Sequence, residues 1–233
     1  VILGDGSTRC GGHSEDTTGK RKGGDCRITT CDPEIVASIR EQARKFGLRV
    51  HEHKHRTAPT YGLSGTRGKK NPISSLLQNL GVRGCRAEHK FVPQIYKTAS
   101  VEARLQILAG LIDTDGSLSK QGFDFISKSK QLADDVAFIS RSLGLSATPV
   151  PCKKFCQTGG GGTYYRISIT GPTYKVPCRV QRKRASIGVN GLWQATRVTF
   201  SIVPTRLEEP YFGFSLDGDS RYLLDDFTVT HNS

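Results

Sequence analysis

The sequence predicts an α+β protein of two matched αββαββα repeats followed by a β-rich tail. Three observations predict it: Asp5-Gly6-Ser7 returns as Asp115-Gly116-Ser117, each copy leads into the same order of strand and helix periods, and the charge changes sign near residue 186. The expected division is residues 1–185 as one domain, with repeat 1 at about 1–100 and repeat 2 at about 101–185, and residues 186–233 as the start of something different.

The elements follow in order. "VILGDG" (Val1 to Gly6) reads as the end of a small-residue helix, and after a Gly- and Lys-rich loop Arg27 to Thr30 form a short β-prone run. Ile35, Val36, Ile39 and Ala43 then mark one face of a helix that stops at Phe46-Gly47, a C-capping glycine. "LRVHEHKHR" and "PTYGLSG" return to strands. In the second copy "VEARLQILAGLIDTDG" sets Leu105, Leu108, Ala109 and Ile112 on one helical face, and Ala109 with Gly110 leave room for a close neighbour, for which "VILGDG" is the candidate. Phe123 to Ser127 match the first strand run, Leu132, Val136, Ile139 and Leu143 the helix ending at Gly144, and "SATPVPCKKF" and "TYYRISITG" the last two strands. In the tail, two strands are expected around "DGDS", with "FTVTHNS" as a terminal strand.

With 233 residues, 36% hydrophobic and 24% charged, the chain can bury a good core, and no apolar run reaches the ~20 residues that span a bilayer. No signal peptide opens it, so no membrane partner is expected; the expected location is intracellular, nuclear or nucleocytoplasmic in a eukaryote. Seven scattered cysteines fit reduced thiols rather than a disulfide framework. Of the 34 Lys and Arg, 31 precede Ser186, against 15 of the 21 acids, which leaves +16 on residues 1–185 and −3 on the tail. A basic globular domain of this kind suits nucleic acid, because neutralising phosphates releases counterions, although a merely soluble basic surface has the same composition. Two matched halves suit the two strands of a duplex.

The end of "LAGLIDTDG" (Leu108 to Gly116) sharpens this. The C-terminal end of a helix carries partial negative charge, so acid there is unfavourable. If two such ends pack through their small residues, Asp5 and Asp115 meet, and a hard divalent cation would relieve their repulsion.

These residues resemble the LAGLIDADG homing endonucleases, whose name-giving motif differs from "LAGLIDTDG" at one position, and the resemblance covers roughly residues 1–185. It implies a monomer with internal pseudo-twofold symmetry that cuts both strands of double-stranded DNA at a long site, with Mg²⁺ (or Mn²⁺) held by Asp5 and Asp115. Asp113 is not the equivalent acid, and a local hydrogen-bonding role is expected of it. Lysines that steady charge in the intein-borne members are matched by Lys90 in "HKFVP" and by Lys183 in "CRVQRKRA", the second interchangeable with Arg182 or Arg184; a catalytic and a phosphate-tracking role suit each equally. DNA contacts are expected from strands and loops, at Arg9, Lys20, Arg27, Arg56, Arg67, Lys69, Lys70, Lys128, Lys130, Lys153, Lys154 and Arg166. The alternating histidines of "HEHKH" read as solvent- or phosphate-facing rather than as metal ligands.

The tail, with "YFGFSLDG", "RYLL" and the closing "VTHNS", resembles the C-terminal blocks of intein splicing (Hint) domains. The resemblance implies that Asn232 cyclises on its own carbonyl with help from His231, and that Ser233 is the nucleophilic first residue of the downstream host segment, so that the partners include the host protein (the exteins) around the intein. An assisting histidine found in many inteins is replaced by Ser220, and the upstream splicing half is not in the sequence, which therefore reads as a fragment of a large intein. A degenerate module that binds nucleic acid without cutting it is the alternative.

Overall fold

The computed structural model describes residues 1–8, 26–66, 71–119, 122–155, 161–187, 201, 203–204, 208, 210 and 213–231. Two four-stranded antiparallel sheets of identical plan carry the two halves. The first has strands β1 (Gly6–Ser7), β2 (Cys26–Thr29), β3 (Arg49–His53) and β4 (Thr60–Ser64) in the order β1-β2-β4-β3; the second has β5 (Gly116–Ser119), β6 (Gly122–Ser127), β7 (Ser146–Phe155) and β8 (Gly161–Thr170) in the order β5-β6-β8-β7. The equivalent helices α1 (Pro33–Lys45) and α5 (Lys130–Ser142) follow the second strand of each sheet. Between the halves lie α2 (Pro72–Asn79), the short α3 (Gln94–Lys97) and α4 (Val101–Asp115). Among the described residues no helix is long and apolar enough to cross a membrane.

Local chemistry fixes these boundaries. Pro33 opens α1, where its missing N–H is not needed, and Gly47 ends it at φ +63°, a left-handed conformation that glycine adopts at little cost. Asn71 caps α2 by accepting from the amides of Ile73 and Ser74. Ser129 caps α5: its hydroxyl accepts from Leu132 N at 3.1 Å and donates to the carbonyl of Lys90 at 2.6 Å, so one side chain starts a helix and seats a candidate site residue. Ser129→Ala is expected to cost about 1 kcal/mol, lowering the thermal midpoint by about 2–4 °C in a calorimetric melt.

The period-two alternation of the strands gives each sheet one buried face. Phe123 and Phe125 of β6, Ile167 and Ile169 of β8 and Ala147 of β7 close on Leu108, Leu111 and Ile112 of α4 and on Leu132, Val136 and Ile139 of α5. The first half repeats this with Cys26, Ile28 and Leu63 against Ile35, Ile39 and Ala43 of α1 and Ile73 and Leu77 of α2. Leu3 packs against both cores. The five cysteines among the described residues are not joined in disulfides; burial pushes the Cys178 thiol up to about 12.

Three details differ from the sequence expectation. The leading helix of the first repeat is represented by a turn, closed by Gly4 N donating to Val1 O at 3.1 Å. The closing helix of the second repeat is replaced by 3₁₀ turns at Thr173–Lys175 and Gln181–Lys183; Pro172 and Pro177 bracket the first of them and deny the backbone donors a longer helix needs. In the tail, β9 (Arg221–Leu223) pairs antiparallel with β10 (Val229–His231), but residues 213–216, before the "DGDS" turn, form no strand.

Candidate active site

Asp5 and Asp115 meet where the Val1–Gly4 turn lies against α4. The approach is close because glycine permits it: a Cβ on Gly110 would stand 3.1 Å from Val1 N, and one on Gly4 only 1.9 Å from Thr114 Oγ1 and 3.0 Å from Asp115 Oδ2. Each acid leads directly into the first strand of its sheet, Gly6 pairing with Ile28 and Gly116 with Phe125, so the two carboxylates sit at matched positions in the two halves. Among the described residues neither carboxylate receives a hydrogen bond. The tips reach solvent, yet protein crowds them from the other sides: partial burial raises both pKa values, the Asp115 charge raises that of Asp5 further, and nearby Lys183 and, for Asp115, Lys90 pull them back down.

The two lysines hold the ends of the two motifs. Lys90 Nζ donates to the carbonyls of Gly4 (2.8 Å) and Gly6 (3.2 Å). Lys183, 6% exposed, donates to the carbonyls of Ile112 (3.0 Å), Asp113 (2.6 Å) and Thr114 (3.0 Å). A cation on the unsatisfied carbonyls at a helix end opposes the negative pole that makes acids unfavourable there. Burial is the largest influence on both lysines and lowers their pKa values. Of the three basic candidates at 182–184, Lys183 is the one at the site: Arg182 pairs with Asp32, and Arg184 donates to the carbonyls of Cys178 and Arg179.

Asp113 does hydrogen-bond, but not locally. It is 2% exposed and accepts from the amides of Arg179 (2.9 Å) and Val180 (3.1 Å), some 66 residues along the chain. This corrects the expectation: the carboxylate is turned into the fold, where distant amides and not its own turn satisfy it.

A cleft of about 620 Å³ opens beside Asp5 and is bordered by Lys90, Arg27, Thr29, His55, Thr60 and Arg86. Arg27, Thr29 and Thr60 of its lining belong to the face of the first sheet turned away from the core, and the second sheet has a matching outward face. On the first, the register places Arg27, Thr29, Thr60, His51, His53 and Arg49 together; on the second, Ser117, Asp124, Ser168, Arg166, Val150 and Lys154. Arg49 was missed in the sequence, although its alternation with His51 and His53 signals it.

The predicted DNA-contact set divides on these faces. Arg27, Lys154 and Arg166 share the outward faces, Arg166 being paired with Asp124. Lys153 alternates onto the opposite side of β7. Arg56 is exposed after β3, and Lys128 is exposed before α5 and lies 3.7 Å from Glu88. Lys130 belongs to α5 rather than to a strand or loop and pairs with Asp134 one turn on. Arg9, Lys20, Arg67, Lys69 and Lys70 lie outside the described residues, as do Asn232 and Ser233 of the tail; His231 is exposed at the end of β10.

Comparison with known proteins gives likenesses to part of the chain. Residues 102–175 match the family model of the LAGLIDADG-like domain. It is 35% identical to the replicative DNA helicase DnaB of Nostoc sp. over 113 residues (46% of this chain, 12% of the helicase) and 28% identical to the homothallic switching endonuclease of Saccharomyces cerevisiae over 142 residues (52% and 24%). The chain thus spans about an eighth of the helicase and a quarter of the endonuclease. A crystal structure of an I-DmoI variant in complex with its target DNA and Mn shares the fold with a TM-score of 0.50 at 13% identity, over 72% of this chain and 83% of that one.

Proposed function

We propose that residues 1–185 form a site-specific double-stranded DNA endonuclease carried by an intein, whose tail supplies the C-terminal splicing chemistry. One observation carries the nuclease reading: two carboxylates from matched motif ends meet with no hydrogen-bond donor among the described residues, each beside a lysine that clamps its motif's carbonyls. Oxygen donors of like charge, crowded and unsatisfied, suit a hard divalent cation, Mg²⁺ or Mn²⁺, with water and phosphate oxygens completing its shell. When bound, the cation supplies Lewis-acid stabilisation of charge on the scissile phosphate. Asp5 and Asp115 position it, one for each strand. Lys90 and Lys183 fix the motif ends that bear the acids and add positive charge near the phosphates, while Arg27, Lys154 and Arg166 on the outward faces track the backbone.

The match to the endonuclease of yeast supports the cutting activity. A match to a helicase confined to an eighth of its length is what an element inserted in a host protein leaves, and it supports the intein reading. In that reading Asn232 cyclises with assistance from His231, and Ser233 accepts the acyl group.

The test is to incubate the full-length protein with a plasmid carrying the host gene joined across the insertion site, in Mg²⁺ or Mn²⁺. Linear product supports the reading; a gel shift with no cleavage in either metal favours the binding-only alternative. Lys154→Ala is expected to weaken binding without changing the preferred sequence, and to lower the slope of log affinity against log salt by about 1 in a fluorescence-anisotropy titration.

A further inference from the structure

Apart from Lys183, the segment 179–184 takes no part in the proposed chemistry, yet it is bonded to both halves at once. From α4, the buried Asp113 carboxylate accepts the amides of Arg179 and Val180. In return Lys183 donates to the three carbonyls that end at Thr114, the residue before Asp115. At the start of α1, Asp32, the residue before the helix, pairs with the Arg182 guanidinium and Glu34 accepts the amide of Gln181 at 3.1 Å, while the Val180 side chain is buried in the core of the first half. The segment is a strap, reciprocally latched to the end of α4 and anchored on the opposite repeat.

Among the described residues the other motif end has no such brace. Aligning Asp5 with Asp115 puts Leu3 where Asp113 stands, so the first motif has no carboxylate at that position with which to hold a strap, and the side chain that clamps it among the described residues is Lys90, through Gly4 and Gly6.

We propose that Asp113 is a positioning residue: through the strap it sets Asp115 against the first half, and cutting of the strand served by Asp115 depends on it while cutting of the strand served by Asp5 does not. This rests on the endonuclease reading above. The experiment compares wild-type and Asp113→Asn full-length protein on the joined-site plasmid, each DNA strand end-labelled separately, with amide hydrogen exchange at Arg179 and Val180 measured without DNA. Asparagine keeps the shape but can present only one oxygen to two amides. The expected result is accumulation of nicked circles, one strand slowed at least tenfold and the other within twofold, KM unchanged, and exchange at both amides at least tenfold faster. Lys90→Met is expected to slow the opposite strand. Should Asp113→Asn fail to fold, Arg182→Ala loosens the same strap from its exposed end and should slow the same strand. Equal slowing of both strands, or unchanged exchange at 179 and 180, overturns the proposal. No cleavage by the wild-type protein overturns the endonuclease reading instead, and leaves the amide exchange to judge the strap.

Discussion

Asp115→Asn is expected to lower plasmid cleavage by at least about 10³-fold, and to make the metal-free protein more stable, not less. The loss of activity follows because asparagine offers one neutral oxygen where a charged donor is needed, and transition-state charge stabilisation of this kind is commonly worth 10²–10³ or more per group. The gain in stability follows from the raised pKa values of Asp5 and Asp115, caused first by burial and, for Asp5, also by the facing Asp115 charge. Below the ordinary carboxylate pKa both acids are protonated in the folded and unfolded chain, and the pair contributes nothing. As pH rises past that value the unfolded chain ionises while the folded chain resists, so stability falls until the raised folded pKa is passed, and the deficit persists at neutral pH. Replacing one acid removes part of it. Melts in chelator should show the variant above wild type at pH 7, by about 2–4 °C for each kcal/mol relieved, with the difference vanishing below about pH 4. Added Mg²⁺ or Mn²⁺ at 100 times its Kd should raise wild-type stability by about 2.7 kcal/mol and the variant far less. Cleavage unchanged in both Asp115→Asn and Asp5→Asn would sink the assignment of the metal-binding acids.

Contacts within a few residues, and those that the repeat itself implies, are legible in the sequence, and the other contacts made by folding are not. The buried face of α4 and the room left at Gly110 follow from residue size and helical period, and the pairing of the two "DG" ends follows from the repeat. The two lysines were placed by likeness to a family, and their clamping role was not readable. A helix end announces that its carbonyls need donors, but nothing nearby says that they come from Lys183 some 70 residues on, or that Lys90 turns back across more than 80 residues to Gly4 and Gly6. Asp113 shows the same limit: a polar residue on an apolar helix must find partners, yet the amides of Arg179 and Val180 become available only once the strap has docked. Alternation along the strands sorts the basic residues further. Consecutive lysines on one strand face opposite ways, which divides Lys153 from Lys154, and Arg49 shares its parity with His51 and His53.

Gly4→Ala should damage the site more than it damages the fold. The added methyl carbon would stand 1.9 Å from Thr114 Oγ1 and 2.5 Å from Thr114 Cβ. The threonine cannot turn away cheaply, because its hydroxyl donates to the carbonyls of Gly110 and Leu111 at 3.0 Å each and its Cβ is fixed to the α4 backbone. The Val1–Gly4 turn must therefore move off α4, at a cost of about 1–3 kcal/mol for overpacking, or roughly 2–12 °C in the thermal midpoint. That movement acts directly on the separation of Asp5 from Asp115, and a displacement near 1 Å at a reacting centre costs about 10²-fold in rate. Activity assayed well below the lowered midpoint should fall by about that factor, with DNA affinity held by the outward sheet faces and little changed. Thr114 is also where "LAGLIDTDG" departs from the family motif, so the contact belongs to this chain's own pair of motifs. The decisive measurement is the double-mutant cycle. Thr114→Gly alone should cost about 1 kcal/mol for glycine near a helix end, while Gly4→Ala with Thr114→Gly moves the side chain from one motif to the other across the same gap and should recover most of the cleavage lost by Gly4→Ala. Additive losses in the double variant would show that the two positions do not share the contact, and that the spacing of the acids is set elsewhere.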